Sequence, residues 1–346
     1  MSLQRAIQIQ GPKLAKLVAN APIPKLRPGY IKAKTVAVAL NPTDWKHVDF
    51  LADSGAIVGC DYSGIVEEVG PGVSSFKVGD KVAGFVHGSN QDNHEDGCFA
   101  EHIAAKAAVQ IKVPATLSME EAATLGVGIT TVGQGLYQSL QLPWPTTPAK
   151  SPFPVLIYGA STATGTLAVQ FAKLSGLTVI ATCSPHNFDL VRRLGADHVF
   201  DYKSPTVGAD IRAATNDSLE FAFDCIAYEA TAAVCAQALT SKPAVAKYSS
   251  LLRLDALPRD DVANLSTLAY TALGETFHKG EKEFPANEDH LDFAARFWKL
   301  SGELLAQGKV KVHPLEVRDG GLDRVLEGMD DLRNDKVSGV KLVYKV

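Results

Sequence analysis

The chain has no run of basic residues, no apolar stretch near the ~18 residues that a membrane-spanning helix needs, and no paired cysteines. Each absence removes a class of function. Without a basic run, and with a formal net charge of −4, the surface carries no electrostatic footprint for nucleic acid. Without a long apolar segment no membrane span is expected, and Met1-Ser-Leu-Gln-Arg5 lacks the apolar core of a signal peptide. The cysteines, Cys60, Cys98, Cys183, Cys225 and Cys235, are odd in number, scattered, and free of any Cys-x-x-Cys spacing. They suit reduced thiols in a cytoplasmic protein better than a disulfide framework or a structural zinc cluster. No internal repeat or low-complexity tract breaks the chain. What is present, 346 residues of which 46% are apolar, is enough to bury one large core or two ordinary ones.

The first 115 residues read as β-rich. Tyr30-Ile-Lys-Ala-Lys-Thr-Val-Ala-Val-Ala39 alternates as a strand does, and Asp61-Tyr-Ser-Gly-Ile-Val-Glu-Glu-Val-Gly70 runs into a glycine-rich turn. Residues 76–84, 100–105 and 109–113 continue the pattern, which predicts a small barrel. Near Leu117 the texture changes. Ser118 is placed to cap a helix with Glu120 and Glu121 in its first turn. That helix is expected to run to Leu125, to be interrupted by the glycine-rich segment 126–133, and to resume at 136–140. After a proline-rich loop at 143–154, strands expected at 155–158, 177–182, 198–201, 221–224 and 244–251 alternate with helices starting near Gly165, Pro185, Pro205 and Glu229. Such alternation predicts a parallel sheet covered on both faces. Residues 287–307 read as one long helix, and the tail, 312–316 and 339–346, returns to strand character and is expected to rejoin the barrel.

The most informative segment is Tyr158-Gly-Ala-Ser-Thr-Ala-Thr-Gly165. An apolar strand, Val155-Leu-Ile-Tyr158, precedes it, and Thr166-Leu-Ala-Val-Gln-Phe-Ala-Lys-Leu174, apolar at helical spacing, follows. Strand, small-residue turn and helix start a βαβ unit, in which turn amides and the positive helix end make a phosphate cradle. A protein that prefers NAD places Asp or Glu at the end of the next strand, to hold the ribose 2′-hydroxyl. Here that position carries Cys183-Ser-Pro-His-Asn187. Ser184 and Asn187 offer neutral hydrogen bonds, Pro185 suits the first position of a helix facing an anion, and His186 adds charge when protonated. The expected cofactor is therefore NADPH. Ser184 capping its own helix is compatible with that role. Tyr202 is placed to pack on the adenine or contact its phosphate, or to be an ordinary half-buried tyrosine.

Several fragments together carry a family resemblance. Asn41-Pro-Thr-Asp-Trp-Lys46, Gly59-Cys-Asp-Tyr-Ser-Gly64, Val78-Gly-Asp-Lys-Val82 and the nucleotide turn stand in the order seen in medium-chain dehydrogenase/reductases. Ile180-Ala-Thr-Cys-Ser-Pro-His-Asn-Phe-Asp-Leu190, Val199-Phe-Asp-Tyr202 and Ser338-Gly-Val-Lys-Leu342 narrow it. Over nearly its whole length the chain resembles the zinc-free fungal trans-acting enoyl reductases of polyketide biosynthesis, of the lovastatin-pathway type. The resemblance implies an α/β fold: a GroES-like β-barrel catalytic domain, residues 1–125 and 308–346, plus a Rossmann doubly wound parallel sheet, residues 126–307. Cofactor and substrate would lie in the cleft between the two. It implies reduction of an α,β-unsaturated thioester on an acyl carrier protein, in partnership with a polyketide synthase or a hybrid synthase–peptide synthetase (PKS-NRPS).

The resemblance also assigns residues. Lys46 falls near the nicotinamide ribose. Ser161, Thr162, Ala163 and Thr164 form the diphosphate turn, and Ser184, Pro185, His186 and Asn187 the 2′-phosphate loop. Tyr202, Leu251, Val337 and Ser338 are further cofactor contacts. Val132, Gly133, Gln134, Gly135, Leu136, Tyr137, Gln138 and Ser139, with Ala269, Tyr270, Thr271, Ala272 and Leu273, line the acyl pocket.

Zinc-bearing members of the superfamily carry Cys-x-Thr-Asp, then Gly-His-Glu, and a four-cysteine lobe. This chain has Asn41 at the first position, Gly59-Cys-Asp61 at the second, and no lobe, so no metal is expected. Conjugate reduction needs no Lewis acid: hydride reaches the β-carbon, the thioester oxygen becomes an enolate, and a proton reaches the α-carbon. Lys46 and Thr131 are the candidate catalytic groups beside the nicotinamide. The alternative roles are a cofactor clamp for Lys46 and a carboxamide-orienting or helix-ending role for Thr131. Two other functions fit the same fold: a stand-alone quinone or enone reductase acting on small molecules, and a non-catalytic dinucleotide-binding or scaffold protein. Relatives dimerise through the edge of the Rossmann sheet, near 248–273. Arg253, Asp255, Pro258, Arg259, Asp260 and Asp261 interrupt that edge here, so a monomer is expected.

Overall fold

The computed structural model describes residues 3–242 and 245–346 and divides into two compact units, Met1–Thr130 with Tyr270–Val346, and Thr131–Ala269. Met1 and Ser2, at the start of the segment inspected for a leader, and Ala244, the expected start of a strand, lie outside the described residues.

The second unit is built on a six-stranded sheet. Its strands lie in the order His198–Asp201, Thr178–Cys183, Pro154–Tyr158, Phe221–Asp224, Lys247–Ser250, Ala263–Ser266, and every neighbouring pair is parallel. The central strands are apolar because helices cover both faces: Val155, Leu156, Ile157, Val179 and Ala181 are fully buried. The helices Ala163–Leu174, Phe188–Arg193, Val207–Ala214 and Glu229–Ala238 connect them. After Pro154–Tyr158 the chain works outward through two strands, then crosses back to Phe221–Asp224 on the other side. The order therefore reverses at the carboxyl end of Pro154–Tyr158, the place where such sheets bind ligands. The last strand was not expected. Its charged and proline-containing approach, 251–262, is a loop, and the four residues Ala263–Ser266 then complete the sheet edge.

The first unit contains a seven-stranded sheet. Leu315–Arg318, Lys341–Lys345, Tyr30–Ala39, Asp61–Val69, Lys81–Phe85 and Gln110–Lys112 follow one another in it, and His102–Lys106 pairs with Tyr30–Ala39. The tail thus rejoins the β-rich first part, as its pattern predicts. An antiparallel ribbon, Leu3–Gly11 with Leu14–Pro22, is bridged to this part by Ala6 against Ala100 and Gln8 against Ile57. Ile7, Ile9, Ile31, Tyr62, Phe99 and Leu342 are among its fully buried core.

Three features depart from the sequence pattern. The helix Glu288–Ala306 belongs to the first unit, where Phe297 and Trp298 are buried and the Trp298 Nε1 donates to Thr130 Oγ1 at 3.1 Å. The compact units accordingly differ from boundaries at 125/126 and 307/308. The segment 126–133 does not interrupt a helix: Gly126–Val132 is α-helical and Gly133–Ser139 a π-helix. Its first glycine serves close approach, since a Cβ on Gly126 would lie 2.4 Å from Asp61 Oδ1. Finally, Pro42–Phe50 is a helix, started by Asn41, Pro42 at its first position, and Asp44 Oδ2 accepting from the Asn41 amide at 2.7 Å.

A buried ion pair ties the first unit together. Lys341 Nζ, on the last strand, bonds Asp61, on the strand Asp61–Val69, and both side chains are buried. It also donates to Asn41 Oδ1 at 2.9 Å and to the Thr124 carbonyl at 3.1 Å, while Asp61 Oδ1 accepts from the Val127 amide at 2.6 Å. Removing one partner strands the other in a medium that cannot solvate it. Lys341→Met is therefore expected to lower stability by about 3–5 kcal/mol, read from the midpoint of chemical denaturation. A loss under about 1 kcal/mol would show that the pair is not what holds the last strand.

Candidate functional site

The turn after Pro154–Tyr158 is shaped by backbone proximity. A Cβ on Gly165 would lie 2.2 Å from the Gly159 carbonyl oxygen, so only glycine lets the helix Ala163–Leu174 start this close to the strand end. Thr162 caps the helix: its Oγ1 accepts from the Gly165 amide at 2.9 Å and donates to the Gly159 carbonyl at 2.8 Å. The Ala160 amide bonds the Thr182 carbonyl at 2.9 Å, which pins the turn to the next strand. Ser161, Thr162 and Ala163 are half-buried and Thr164 is buried, and the first-turn amides have no intrahelical partners. A helix start of this kind is suited to receive an anion.

The strand Thr178–Cys183 leads into the second element of this site. Ser184 starts a short 3₁₀ turn, Pro185–Asn187, yet its side chain makes no capping hydrogen bond. Of the two compatible roles that the sequence offers Ser184, capping and phosphate binding, the first is not taken here. Pro185 and His186 are exposed, Ser184 and Asn187 half-buried, and Asn187 Nδ2 lies 3.3 Å from His186 Nε2. In the parallel register Cys183 faces Asp201, so Ser184 and Tyr202 follow side by side. Tyr202 is exposed, at 39%. Two basic residues missed in the sequence flank this loop. Arg192 is near enough for its charge to act on the Cys183 thiol, and Lys203 Nζ lies 5.8 Å from the Tyr202 ring centre. A signal was available for Arg192, which falls within ten residues of the acid-free strand end at Cys183, whereas Lys203 follows a strand that ends in Asp201. Leu251 follows the neighbouring strand Lys247–Ser250, half-buried.

The remaining second-unit residues are less uniformly placed. Thr131 is buried in the helix Gly126–Val132. Val132, Gly133, Gln134, Gly135, Leu136 and Tyr137 are buried, with Gln138 and Ser139 half-buried. Within the unit, the Tyr137 hydroxyl meets Ser175 Oγ at 2.8 Å, Ser139 Oγ meets Ser249 Oγ at 2.8 Å, and Gln134 Nε2 donates to the Leu268 carbonyl at 3.3 Å. These hydroxyls are engaged in their own unit.

In the first unit, Lys46 sits half-buried on the helix Pro42–Phe50, and burial lowers its pKa. Val337 packs on the core and Ser338 is exposed. Tyr270, Ala272 and Leu273 are buried on the 3₁₀ segment Ala269–Leu273, with Thr271 Oγ1 2.9 Å from His290 Nδ1. Tyr270 is joined to the same helix as Lys46: its hydroxyl lies 2.9 Å from Thr43 Oγ1. Sequence reasoning did not single out Thr43, His47 or His87, and each borders Tyr270. Where zinc-bearing relatives have ligands, Asn41 and Asp61 direct oxygens to Lys341, and burial raises the Cys60 thiol well above its ordinary value.

Comparison with known proteins places this geometry. Residues 27–115 match the alcohol dehydrogenase GroES-like domain, and residues 163–263 match the zinc-binding dehydrogenase domain. The chain is 50% identical to a trans-enoyl reductase of Alternaria alternata, with 100% of each chain covered. It is 48% identical to a trans-enoyl reductase of Aspergillus sclerotiorum, over 99% of this chain and 100% of that one. A quinone oxidoreductase from Coxiella burnetii shares the fold, with a TM-score of 0.74, 24% identity and 100% of both chains covered.

Asp44 gives the site a pH signature. Burial, aided by the nearby Asp61 charge, raises its carboxyl from 3.8 to about 8 against the opposing cap hydrogen bond. The folded chain therefore keeps a proton that the unfolded chain has released. Its contribution to stability falls as pH climbs from about 4 to about 8 and is constant outside that window. Asp44→Asn, which retains the acceptor, is expected to flatten this slope and to gain thermal stability over the parent most clearly at pH 8. Identical pH profiles for both proteins would show that Asp44 does not titrate in this way.

Proposed function

The chain belongs to the medium-chain dehydrogenase/reductase superfamily, and from that premise we propose that it is an NADPH-dependent, trans-acting enoyl reductase. Its substrate is an α,β-unsaturated thioester of a polyketide intermediate, presented on the acyl carrier protein of a polyketide synthase or PKS-NRPS hybrid. The observation that carries this reading is the end-to-end likeness to trans-enoyl reductases at 50% identity.

The residues fit a dinucleotide. Thr162, Ala163 and Thr164 would hold the diphosphate on the helix start, and Ser184, Asn187 and Tyr202 the 2′-phosphate end. The absence of a carboxylate after Thr178–Cys183 supports the phosphorylated form. When bound, the cofactor supplies a hydride for the β-carbon of the thioester. The chain's own residues bind, orient and exclude water: Lys46 clamps the ribose, Thr131 orients the carboxamide, and the apolar residues of 132–139 and 269–273 keep the acyl chain dry. The protein acts in the cytoplasm as a monomer. The exposed sheet edge, Ala263–Ser266, is short and polar, and its Asn264 Nδ2 donates to the Leu254 carbonyl at 3.0 Å, an arrangement that discourages strand pairing. A solution mass twice that of the chain would overturn this.

Purified protein is expected to oxidise NADPH with enoyl thioesters, faster on a carrier protein than on free pantetheine. Rapid turnover of simple quinones with none of any enoyl thioester would replace this function by a quinone reductase, and binding without turnover would make the protein non-catalytic. Ser184→Asp, which sets a carboxylate beside the 2′-phosphate, is expected to weaken NADPH binding by about 10²-fold and to leave NADH within a few-fold. An unchanged NADPH:NADH ratio in titration calorimetry would remove the loop from cofactor selection.

A further inference from the structure

In the first unit a polar cluster surrounds the Tyr270 ring. His87 stacks on it with centroids 4.1 Å apart, His47 meets it edge-on at 5.6 Å, and the Lys279 ammonium lies 4.7 Å from its centre. The Tyr270 hydroxyl is spent on Thr43. Two other members of the cluster have hydrogen-bonding capacity that no described residue takes up.

The first is His47. Its Nδ1 lies 2.7 Å from the Thr43 carbonyl oxygen, which can only accept, so Nδ1 carries the ring proton and Nε2 presents a lone pair. Nε2 is buried and has no partner among the described residues. Burial and the Lys279 charge push the imidazole down to about 4, so it is neutral near pH 7 and stays an acceptor. The second is Lys279, on the hairpin of Phe277–Lys279 and Lys282–Phe284. Burial lowers its ammonium to about 8, with no carboxylate acting on it. A buried acceptor and a partly buried donor, close enough for the charge of one to act on the other, are costly to leave empty.

We propose that Lys279 and His47 form a subsite for a hydroxyl group on the acyl chain, Lys279 donating to its oxygen and His47 Nε2 accepting its proton. A hydroxyl is the group that accepts and donates at one atom. A carbonyl satisfies Lys279 alone, a hydrocarbon chain satisfies neither, and an ammonium is repelled by Lys279. The subsite rests on the reading of this chain as an enoyl reductase whose acyl pocket includes Tyr270. Its consequence is selectivity, because a site with buried polar groups rejects a substrate that leaves them unpaired.

The test is titration calorimetry of saturated acyl-pantetheine thioesters of equal length, one unsubstituted and the others carrying a single hydroxyl at successive carbons, with NADP⁺ present. One hydroxyl position is expected to bind more than about tenfold tighter than the unsubstituted chain. That ratio is expected to collapse toward one in Lys279→Met and in His47→Phe. Equal affinities across the panel in the parent protein, the result if the cluster holds only an ordered water, would overturn the subsite without recourse to any variant. NADPH oxidation with the unsubstituted enoyl-pantetheine, measured in parallel, keeps the two readings apart. Turnover without hydroxyl preference removes the subsite alone, whereas hydroxyl preference without turnover of any enoyl thioester upholds it and removes the reductase reading.

Discussion

The first unit depends on one ammonium group kept out of water. Lys341 is buried, as is the Asp61 carboxylate that it meets. Neither charge is tolerable alone in that environment, so each fixes the other, and with it the element that carries it. The consequences reach the site through Asn41. This residue starts the helix Pro42–Phe50 and also accepts from Lys341 at 2.9 Å. The orientation of Thr43, Lys46 and His47 is thereby tied to the far end of the chain, three hundred residues away in sequence. Asp61 adds a second connection by accepting from the Val127 amide at the start of Gly126–Val132, the helix that carries Thr131.

The second unit is organised by a different constraint, the distance of closest approach between two backbones. With Gly165 against the Gly159 carbonyl, the helix begins where the strand ends, and a helix start is a place that favours an anion. The loop proposed to select the cofactor lies one strand over. There the sheet register sets Ser184 beside Tyr202; of the flanking basic residues, Arg192 lies 3.8 Å from Asp189 and Lys203 follows Asp201, so each has an acid close by.

How much of this could be seen in the sequence follows from the range of the forces involved. The parallel strands were legible at nearly their observed limits, because burial on both faces writes a continuous apolar run that needs no knowledge of neighbours. Ser118 was legible as a cap, with Glu121 closing the capping box, since that motif spans four residues. Three elements failed for a common reason. The glycines of 126–133 resemble a helix breaker locally, but the first of them, Gly126, answers to a distant partner, Asp61. Glu288–Ala306 was legible as a helix, while its membership of the first unit depends on Trp298 meeting Thr130. The strand Ala263–Ser266 is polar and short, and its place in the sheet is set by the strand beside it.

The same reasoning divides the site. The proposed phosphate cradle and 2′ loop are each a few consecutive residues, and both read as motifs. The cluster around Tyr270 is assembled from positions 43, 47, 87, 270 and 279; Thr43 lies in a fragment that carries the family resemblance and Tyr270 in a segment that the resemblance assigns, but neither announces the cluster. Histidine, lysine and threonine at scattered positions read as surface or core residues until a fold brings them together. Their chemistry nevertheless follows from simple bookkeeping of donors and acceptors. The Thr43 carbonyl fixes the His47 tautomer, the tautomer fixes the direction of the spare lone pair, and burial, aided by the Lys279 charge, keeps that imidazole neutral. Cofactor binding in this chain is thus encoded locally. The proposed discrimination between acyl chains rests instead on tertiary contacts, which can change while the nucleotide motifs remain intact.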